Sequence, residues 1–268
     1  MNQERDLPGY ANAVQILPIE GIPEIREGDP LGEMIADAIE RSIGPLQASD
    51  VVVVTQKAVS KAEGKLVQLS TIEPSVLATR IATDYHKDAR QVEVVLREAR
   101  RIVRMVNGLI IAETKHGLVC ANAGVDASNV SEGVVCLLPD DPDASAAGIR
   151  SVLQQRYFPD ASDTDPPLGV IVTDSFGRPW RNGIVNVAIG VSGIAPLADY
   201  RGQHDSAGYE MHATVMAIAD EIASAAELVM HKLAARPVVV IRGYEWQGSP
   251  RAATARDLVM AEERNLFR

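Results

Sequence analysis

The chain has 268 residues, 46% of them hydrophobic and 23% charged, with a formal net charge of -10. That is enough apolar material for one large domain or two lobes sharing a core, and it excludes a disordered chain. The acidic balance argues against nonspecific nucleic-acid binding, which needs a basic face; anionic small molecules would require local Lys/Arg clusters or bound cations.

In chain order, Ala13 to Pro18 reads as a short strand, broken by Gly21 and Pro23 into the loop Glu20-Gly21-Ile22-Pro23-Glu24-Ile25. Asp29-Pro30 opens a helix from Leu31 to Ile43 with Leu31, Ile35, Ile39 and Ile43 on one stripe. Val51 to Val54 is β-branched throughout and predicts a strand buried on both faces. Its exit carries Gln56, Lys57, Ser60 and Lys61. The two lysines, four apart, could hold an anionic ligand or simply lie in solvent. From Pro74 to Val106 the periodicity predicts two helices parted near His86-Lys87-Asp88, the second with Val92, Val95 and Ala99 on its apolar side. A hairpin follows, Leu109 to Glu113 and Leu118 to Ala121, turning at Lys115-His116-Gly117.

The hairpin delivers Asn122-Ala123-Gly124-Val125-Asp126-Ala127-Ser128-Asn129, rich in small and oxygen-bearing residues. As a ligand loop, Ala123 and Gly124 would admit a close backbone, Asp126 would take a cation and Asn129 a polar group; as an Asx-rich loop, it would bond its own backbone. Asp140-Asp141-Pro142-Asp143 predicts a helix start running to Tyr157 rather than a calcium loop, whose spacing it lacks. Residues 159–167 form a polar, proline-rich link and a candidate lobe boundary. Leu168 to Val172 reads as a buried strand, and Thr173 to Gly190 is expected to emerge from its end. There Asp174 and Ser175 offer hard oxygens for Mg²⁺ or Mn²⁺, while Arg178 and Arg181 offer planar donors; the alternative is a strand-terminating turn. Met211 to Leu233 is predicted as the longest helix, with Asp220 and Glu221 on a solvated edge. Pro237 to Ile241 reads as a last buried strand and Ala252 onward as a short helix.

No Walker-type phosphate loop, no Gly-x-Gly-x-x-Gly fingerprint and no Ser-His-Asp or Cys-His order is present, and five histidines lie scattered. With only Cys120 and Cys136, neither a disulfide framework nor a cysteine-rich zinc site is expected, and the compartment reads as reducing. No apolar run approaches the roughly 18 residues of a membrane span, and the start lacks signal-peptide character, so a soluble cytoplasmic protein is expected. Asp126 and Asp174 each follow a strand and could meet at one sheet edge, with Lys57, Lys61, Arg178 and Arg181 nearby. Such a site suits phosphoryl transfer on phosphorylated or carboxylated small molecules. A metal-dependent nucleotide phosphohydrolase, a ligase joining an amino acid to another carboxylated cofactor, and a non-catalytic nucleotide-binding module remain alternatives.

Several strings resemble the γ-glutamyl ligase family that matures the deazaflavin coenzyme F-420 (also written F420). They are Ser60-Lys61-Ala62-Glu63-Gly64, His116-Gly117 with Asn122 to Asn129, and Thr173 to Arg181. Asp199-Tyr200-Arg201-Gly202, Ala219-Asp220-Glu221 with Glu227-Leu228-Val229-Met230, and the ending Asn265-Leu266-Phe267-Arg268 complete the match, in order. The resemblance implies a mixed α/β (α+β), two-lobed fold with mixed sheets, forming an intertwined homodimer. It implies a GTP-dependent ligase that adds L-glutamate to coenzyme F-420-0 through an acyl phosphate, then further glutamates by γ-linkage. Carried over by position, Ile22, Pro23, Glu24, Ile25, Gln56, Lys57, Lys61 and Asn129 would contact GTP. Asp126, Asp174 and Ser175 would hold divalent metal, two ions of Mg²⁺ or Mn²⁺, with K⁺ as a further ion; Asp174 and Arg178 would be catalytic. Gln56, Tyr209 and His231 depart from the family pattern, and with His231 in place of the usual Gly, the loop after the long helix is left out of the nucleotide contacts. The flavin reductase domain fused to some relatives is not expected, nor is a nucleic-acid or membrane partner.

Overall fold

The β-branched run Val51–Val54 becomes the middle of a five-stranded sheet, because side chains alternating above and below it are apolar on both sides. In the computed structural model, residues 13–161, 168–246, 248 and 253–265 are described. The chain runs β1 (Gln15–Ile19), α1 (Leu31–Ile43), β2 (Asp50–Thr55), α2 (Gln56–Ala62), β3 (Leu66–Gln68), α3 (Val76–Tyr85), α4 (Ala89–Glu98) and β4 (Ala99–Val106). It continues with β5 (Leu109–Thr114), β6 (Val119–Ala121), β7 (Val134–Cys136), α5 (Pro142–Tyr157), β8 (Leu168–Arg178) and β9 (Arg181–Ser192). Last come β10 (Ala198–Asp199), β11 (Val215–Met216), α6 (Ile218–Met230) and β12 (Val238–Arg242). The class is mixed α/β. Among the described residues, no helix is long and apolar enough to cross a membrane.

The main sheet has the order β1-β12-β2-β8-β9, and only β2 and β8 run parallel. Val52 and Val54 face a core shared with Ile35 and Ile39 of α1 and Ile149 and Leu153 of α5. Val51 and Val53 face the opposite core, with Ala219, Ala223 and Ala226 of α6, whose small side chains let the helix lie close. A third core joins α3 and α4 to β5, Ala123 and Val135. The link at 159–167 falls largely on residues outside the described ones; α5 and β8 on either side of it share a single core.

The helix over Leu31–Ile43, the Leu109–Ala121 hairpin and the capped start of α5 are as the sequence predicts. Asp141 accepts from the Ala144 amide at 3.0 Å, Asp140 pairs with Lys65, and Asp143 accepts from the amides of Val191 (2.7 Å) and Ala255 (3.0 Å). The acidic run is thus consumed by helix capping and by fastening β9 and the C-terminal segment.

Four expectations are corrected. The predicted second helix stops at Glu98; residues 99–106 form β4, because Ile102, Met105 and Val106 pair with β5, a nonlocal partner that helical periodicity cannot register. Thr173 to Arg178 does not leave the sheet: β8 continues through it and pairs with β9 as a long hairpin turning at Pro179-Trp180. The predicted longest helix starts only at Ile218, since Val215-Met216 pairs with Ala198-Asp199, and at 13 residues it is shorter than the 16 of α5. Within the described C-terminal residues there are two short 3₁₀ turns, Ala255–Leu258 and Glu262–Arg264, in place of a helix.

At the far end of the sheet from these changes, Asp50 is completely buried and accepts from Arg242 Nε (2.9 Å), Arg242 Nη2 (2.7 Å) and the Gln47 amide (2.8 Å). Arg242→Met is expected to lower unfolding stability by about 3–5 kcal/mol, because it strands a buried carboxylate without its counter-charge. Denaturant melts check this; a loss under about 1 kcal/mol would show that the pair contributes nothing net.

Candidate active site

The parallel pair positions the site. β2 and β8 run in register to Thr55 opposite Thr173, so their C-terminal ends coincide, the place where open α/β sheets take ligands. From Thr55 the chain turns into α2 and presents Lys57 and Lys61 one helical turn apart. From Thr173 it continues straight and presents Asp174 and Ser175. A cavity of about 590 Å³ opens between them, within the range of small-molecule sites.

Ile22, Pro23, Glu24, Ile25, Gln56, Lys57, Lys61, Asn129, Asp126, Asp174 and Ser175 all line this cavity. Arg178 does not. It sits at the hairpin tip, where its Nη2 donates to Asn182 O at 3.4 Å and its Nε finds no partner. Arg181, exposed beside it, likewise lies outside the lining.

Two ties bring the Asp126 loop to α2. Asp126 bridges to Cys136 through both backbone amides, and Gln56 donates through Nε2 to the next carbonyl, Leu137 O, at 2.8 Å and to Ser60 Oγ at 2.8 Å. The carboxamide of Gln56 is therefore spent inside the fold, where the residue is 2% exposed. Lys57 Nζ then closes the gap, donating to Asp126 Oδ2 (2.7 Å), Ser128 O (2.6 Å) and Ser128 Oγ (2.8 Å). Asp126 Oδ1 also accepts from the Ser128 amide at 2.7 Å, so the self-bonded Asx loop and the cavity-facing loop are one structure. Gly124 serves packing rather than ligand approach: at φ +76° it holds a position where a Cβ would lie 2.7 Å from Leu138. Ala123 is buried in the third core.

On the β8 side, β9 carries one extra residue opposite the Val172–Thr173 step, and the freed Ala188 amide donates to Asp220 Oδ1 at 2.9 Å. Asp220 thus fastens a bulge instead of forming the predicted solvated edge; bulges commonly re-aim side chains beside sites. Beyond the bulge, Ser175 Oγ donates to Asn186 Oδ1 (2.7 Å), and Asn186 Nδ2 donates to Glu227 Oε2 (3.1 Å). Asn186, Glu227, Lys232 and Arg236 line the cavity and were not among the expected site residues. The loop from His231 to Pro237, set aside because of His231, forms one wall. Glu227 lay within a matched string, but nothing local in the sequence distinguished it from the solvated face of a helix.

The two aspartates differ electrostatically. Burial alone would raise the Asp126 pKa, but the Lys57 ammonium and the Ser128 amide outweigh it and hold the group below the ordinary carboxylate value. Asp174 is pushed up to about 6, first by burial and then by the neighbouring Asp126 charge; Lys232 and Lys57 offset only part of this. Their mutual repulsion across one cavity, with the Ser175 hydroxyl beside them, fits a hard divalent cation such as Mg²⁺ or Mn²⁺. Among the described residues, no cluster of three or more His, Cys, Asp or Glu forms an all-protein cage. Mg²⁺ ordinarily binds through one or two carboxylates and completes its shell with ligand oxygens and water.

With this geometry in place, comparison with known proteins gives a consistent result. The profile of the F420-0:Gamma-glutamyl ligase family matches residues 21–243. The chain is 44% identical over 258 residues to the coenzyme F420:L-glutamate ligase of Methanopyrus kandleri, covering 94% of this chain and 98% of that protein. It is 39% identical over 256 residues to the protein of the same name from Methanothermobacter thermautotrophicus, covering 95% and 99%. The one from Methanocaldococcus jannaschii is 40% identical over 258 residues, covering 95% and 97%. At these identities and coverages, the chain belongs to the F420-0:γ-glutamyl ligase family.

Proposed function

We propose that the protein is a GTP-dependent ligase that joins L-glutamate to the terminal carboxylate of coenzyme F-420-0 and then extends it by γ-linked glutamates. The observation that carries this reading is the meeting of Asp126, Asp174, Lys57 and Lys61 in one cavity at the ends of two parallel strands. A nucleotide, an acceptor carboxylate and glutamate are all anions, and an acidic protein can gather them only where fixed cations and hard-cation ligands converge.

In the proposed reaction, an acceptor carboxylate oxygen attacks the γ-phosphorus of GTP, the bond to GDP breaks, and an acyl phosphate forms. The neutral glutamate amine then attacks the acyl carbon, the C–O bond to phosphate breaks with the electron pair leaving on phosphate, and the nitrogen gives up one proton to leave an N–H amide. Lys57 and Lys61 neutralise charge on the nucleotide phosphates, and residues 22–25 with Asn129 shape the opposing wall. Asp126, Asp174 and Ser175 would hold divalent metal, which when bound would offset charge on the transferring phosphoryl group. The Ser175–Asn186–Glu227 chain keeps the hydroxyl oriented toward the cavity. Arg178, at the hairpin tip and outside the lining, is assigned no step. A homodimer in the cytoplasm is part of the proposal. It is supported by the exposed apolar residues of β4, Ile102, Val103 and Val106, at an unpaired sheet edge.

The test is incubation with F-420-0, L-glutamate, GTP and Mg²⁺ or Mn²⁺, followed by mass spectrometry and nucleotide analysis. Acceptor mass rising in glutamyl increments with matching GDP is expected. GDP released equally with and without glutamate would replace the ligase with a phosphohydrolase, and no turnover would leave a nucleotide-binding module.

A further inference from the structure

The tip of the β8–β9 hairpin concentrates an exposed aromatic and two arginines. Trp180 is 80% exposed and stands at φ 56°, a left-handed conformation that bulky residues rarely take and that glycine would adopt freely. Arg178 and Arg181 face each other across the hairpin on either side of it. Elsewhere in this acidic chain guanidiniums meet carboxylates, as Arg156 does at Asp37 and Arg236 at Glu20. Arg178 gives one long hydrogen bond to Asn182 O, and its buried Nε has no partner; among the described residues, neither it nor Arg181 is paired with an Asp or Glu. An arginine fork can fill five donor positions, so most of this capacity is left for something outside the fold.

The tip is held at a fixed reach from the cavity. β8 is unbroken from Asp174 to Arg178, so Asp174, Phe176 and Arg178 lie on one face of the strand, and Arg178 stands about 13 Å beyond Asp174. The half-buried Phe176 between them packs on the core beneath. That face therefore presents, in order, a carboxylate, an aromatic edge and a guanidinium. In the proposed reaction the cavity of about 590 Å³ has to seat a nucleotide, glutamate and the carboxylate end of the acceptor, which leaves the acceptor's ring system outside it. A ring lying there needs a π-face to stack on and donors for its oxygens, and the hairpin tip supplies both.

We propose that the hairpin tip is the acceptor subsite: the deazaflavin ring stacks on the Trp180 indole, and Arg178 and Arg181 donate to oxygens of the ring and of the linker leading to the carboxylate in the cavity. The inference rests on the ligase reading above and gives the acceptor a place that the cavity lining does not. The three residues bind and orient the acceptor. They take no part in phosphoryl transfer or amide formation, in keeping with their position outside the lining.

The experiment measures F-420-0 binding to the full-length protein by equilibrium dialysis in the presence of GDP and Mn²⁺, with steady-state kinetics and the mass of the assembly in solution recorded alongside. Trp180→Ala is expected to weaken F-420-0 binding about tenfold or more, the loss of one stacking platform. Arg178→Gln combined with Arg181→Gln should weaken it to a similar extent. In both, KM for F-420-0 should rise in step, while KM for GTP and the assembly mass stay as in wild type. Trp180→Phe keeps a π-face and should recover most of the affinity. Trp180→Gly suits the backbone and should melt no lower than wild type, yet bind F-420-0 as weakly as Trp180→Ala, which separates binding from folding. Wild-type F-420-0 affinity in Trp180→Ala and in the double arginine variant would overturn the proposal and leave the ligase reading standing. So would an assembly that dissociates in these variants, which would make the tip an interface between copies, or a KM for GTP that rises in parallel. A wild type that binds GDP but neither binds nor glutamylates F-420-0 would instead bring down the ligase reading, and this proposal with it.

Discussion

Asp174→Asn is expected to abolish ligation while making the ligand-free protein more stable. On the proposed mechanism Asp174 would meet the divalent ion, and losing that carboxylate should cost several kcal/mol of transition-state stabilisation, about a 10²–10⁴-fold fall in turnover. Stability moves the other way. In the folded chain the Asp174 pKa stands at about 6 against an ordinary 3.8, so between those values the native state holds a proton that the unfolded state has lost. Native stability therefore declines as pH rises through roughly 4 to 6 and stays lowered above that, by an amount on the order of 1–3 kcal/mol. Asparagine has no charge to desolvate. The variant should melt higher at neutral pH, by about 2–4 °C per kcal/mol, and should lack that part of the pH slope. The same proton competes with metal, so Mn²⁺ affinity of the wild type should drop about tenfold per pH unit below 6. Thermal melts and Mn²⁺ titrations from pH 5 to 8 decide it. A variant that unfolds, or one that keeps near-normal turnover, would show that Asp174 is structural.

The second large effect is expected at Lys57. Its side chain is 17% exposed and its three contacts to Asp126 and Ser128 use the whole donor capacity of an ammonium. Lys57→Ala removes the strut between α2 and the Asp126 loop together with a cation facing the nucleotide. Truncating one member of a largely buried, hydrogen-bonded charge pair costs about 2–5 kcal/mol, so kcat/KM for GTP should fall about 10²–10³-fold. Lys57→Arg should rescue only partly, since a planar guanidinium cannot reproduce three converging contacts. Mn²⁺ binding without nucleotide should not weaken, because the proposed metal ligand Asp126 would be freed of the Lys57 ammonium that now contacts its Oδ2. A Lys57→Ala protein with unchanged KM for GTP would remove Lys57 from the site.

Much of this site is legible in the sequence because its parts sit at the ends of strongly patterned elements. Val51–Val54 can only be a strand buried on both faces, so Lys57 and Lys61 must follow its end; Leu168–Val172 places Asp174 in the same way. The composition and the scattered histidines and cysteines argue against other chemistries, and the matched strings mark part of the cavity wall, including Lys61, Asp126, Asn129, Asp174 and Ser175. What the sequence could not decide is everything that depends on a partner distant along the chain. Residues 99–106 carry a helical rhythm and become β4 because β5 supplies hydrogen bonds and apolar neighbours that no local window contains. Thr173 to Arg178 is polar enough to look like a loop, yet pairing with β9 keeps it extended and carries Arg178 past the cavity to the hairpin tip. Asn186, Glu227 and Lys232 are unremarkable residues on a strand, a helix and a helix end. They become a connected wall only because the β9 bulge, fastened by Asp220, and the turn at His231 bring them against Ser175. Periodicity fixes what each segment buries; only the tertiary pairing of segments fixes which polar atoms meet in the space left over.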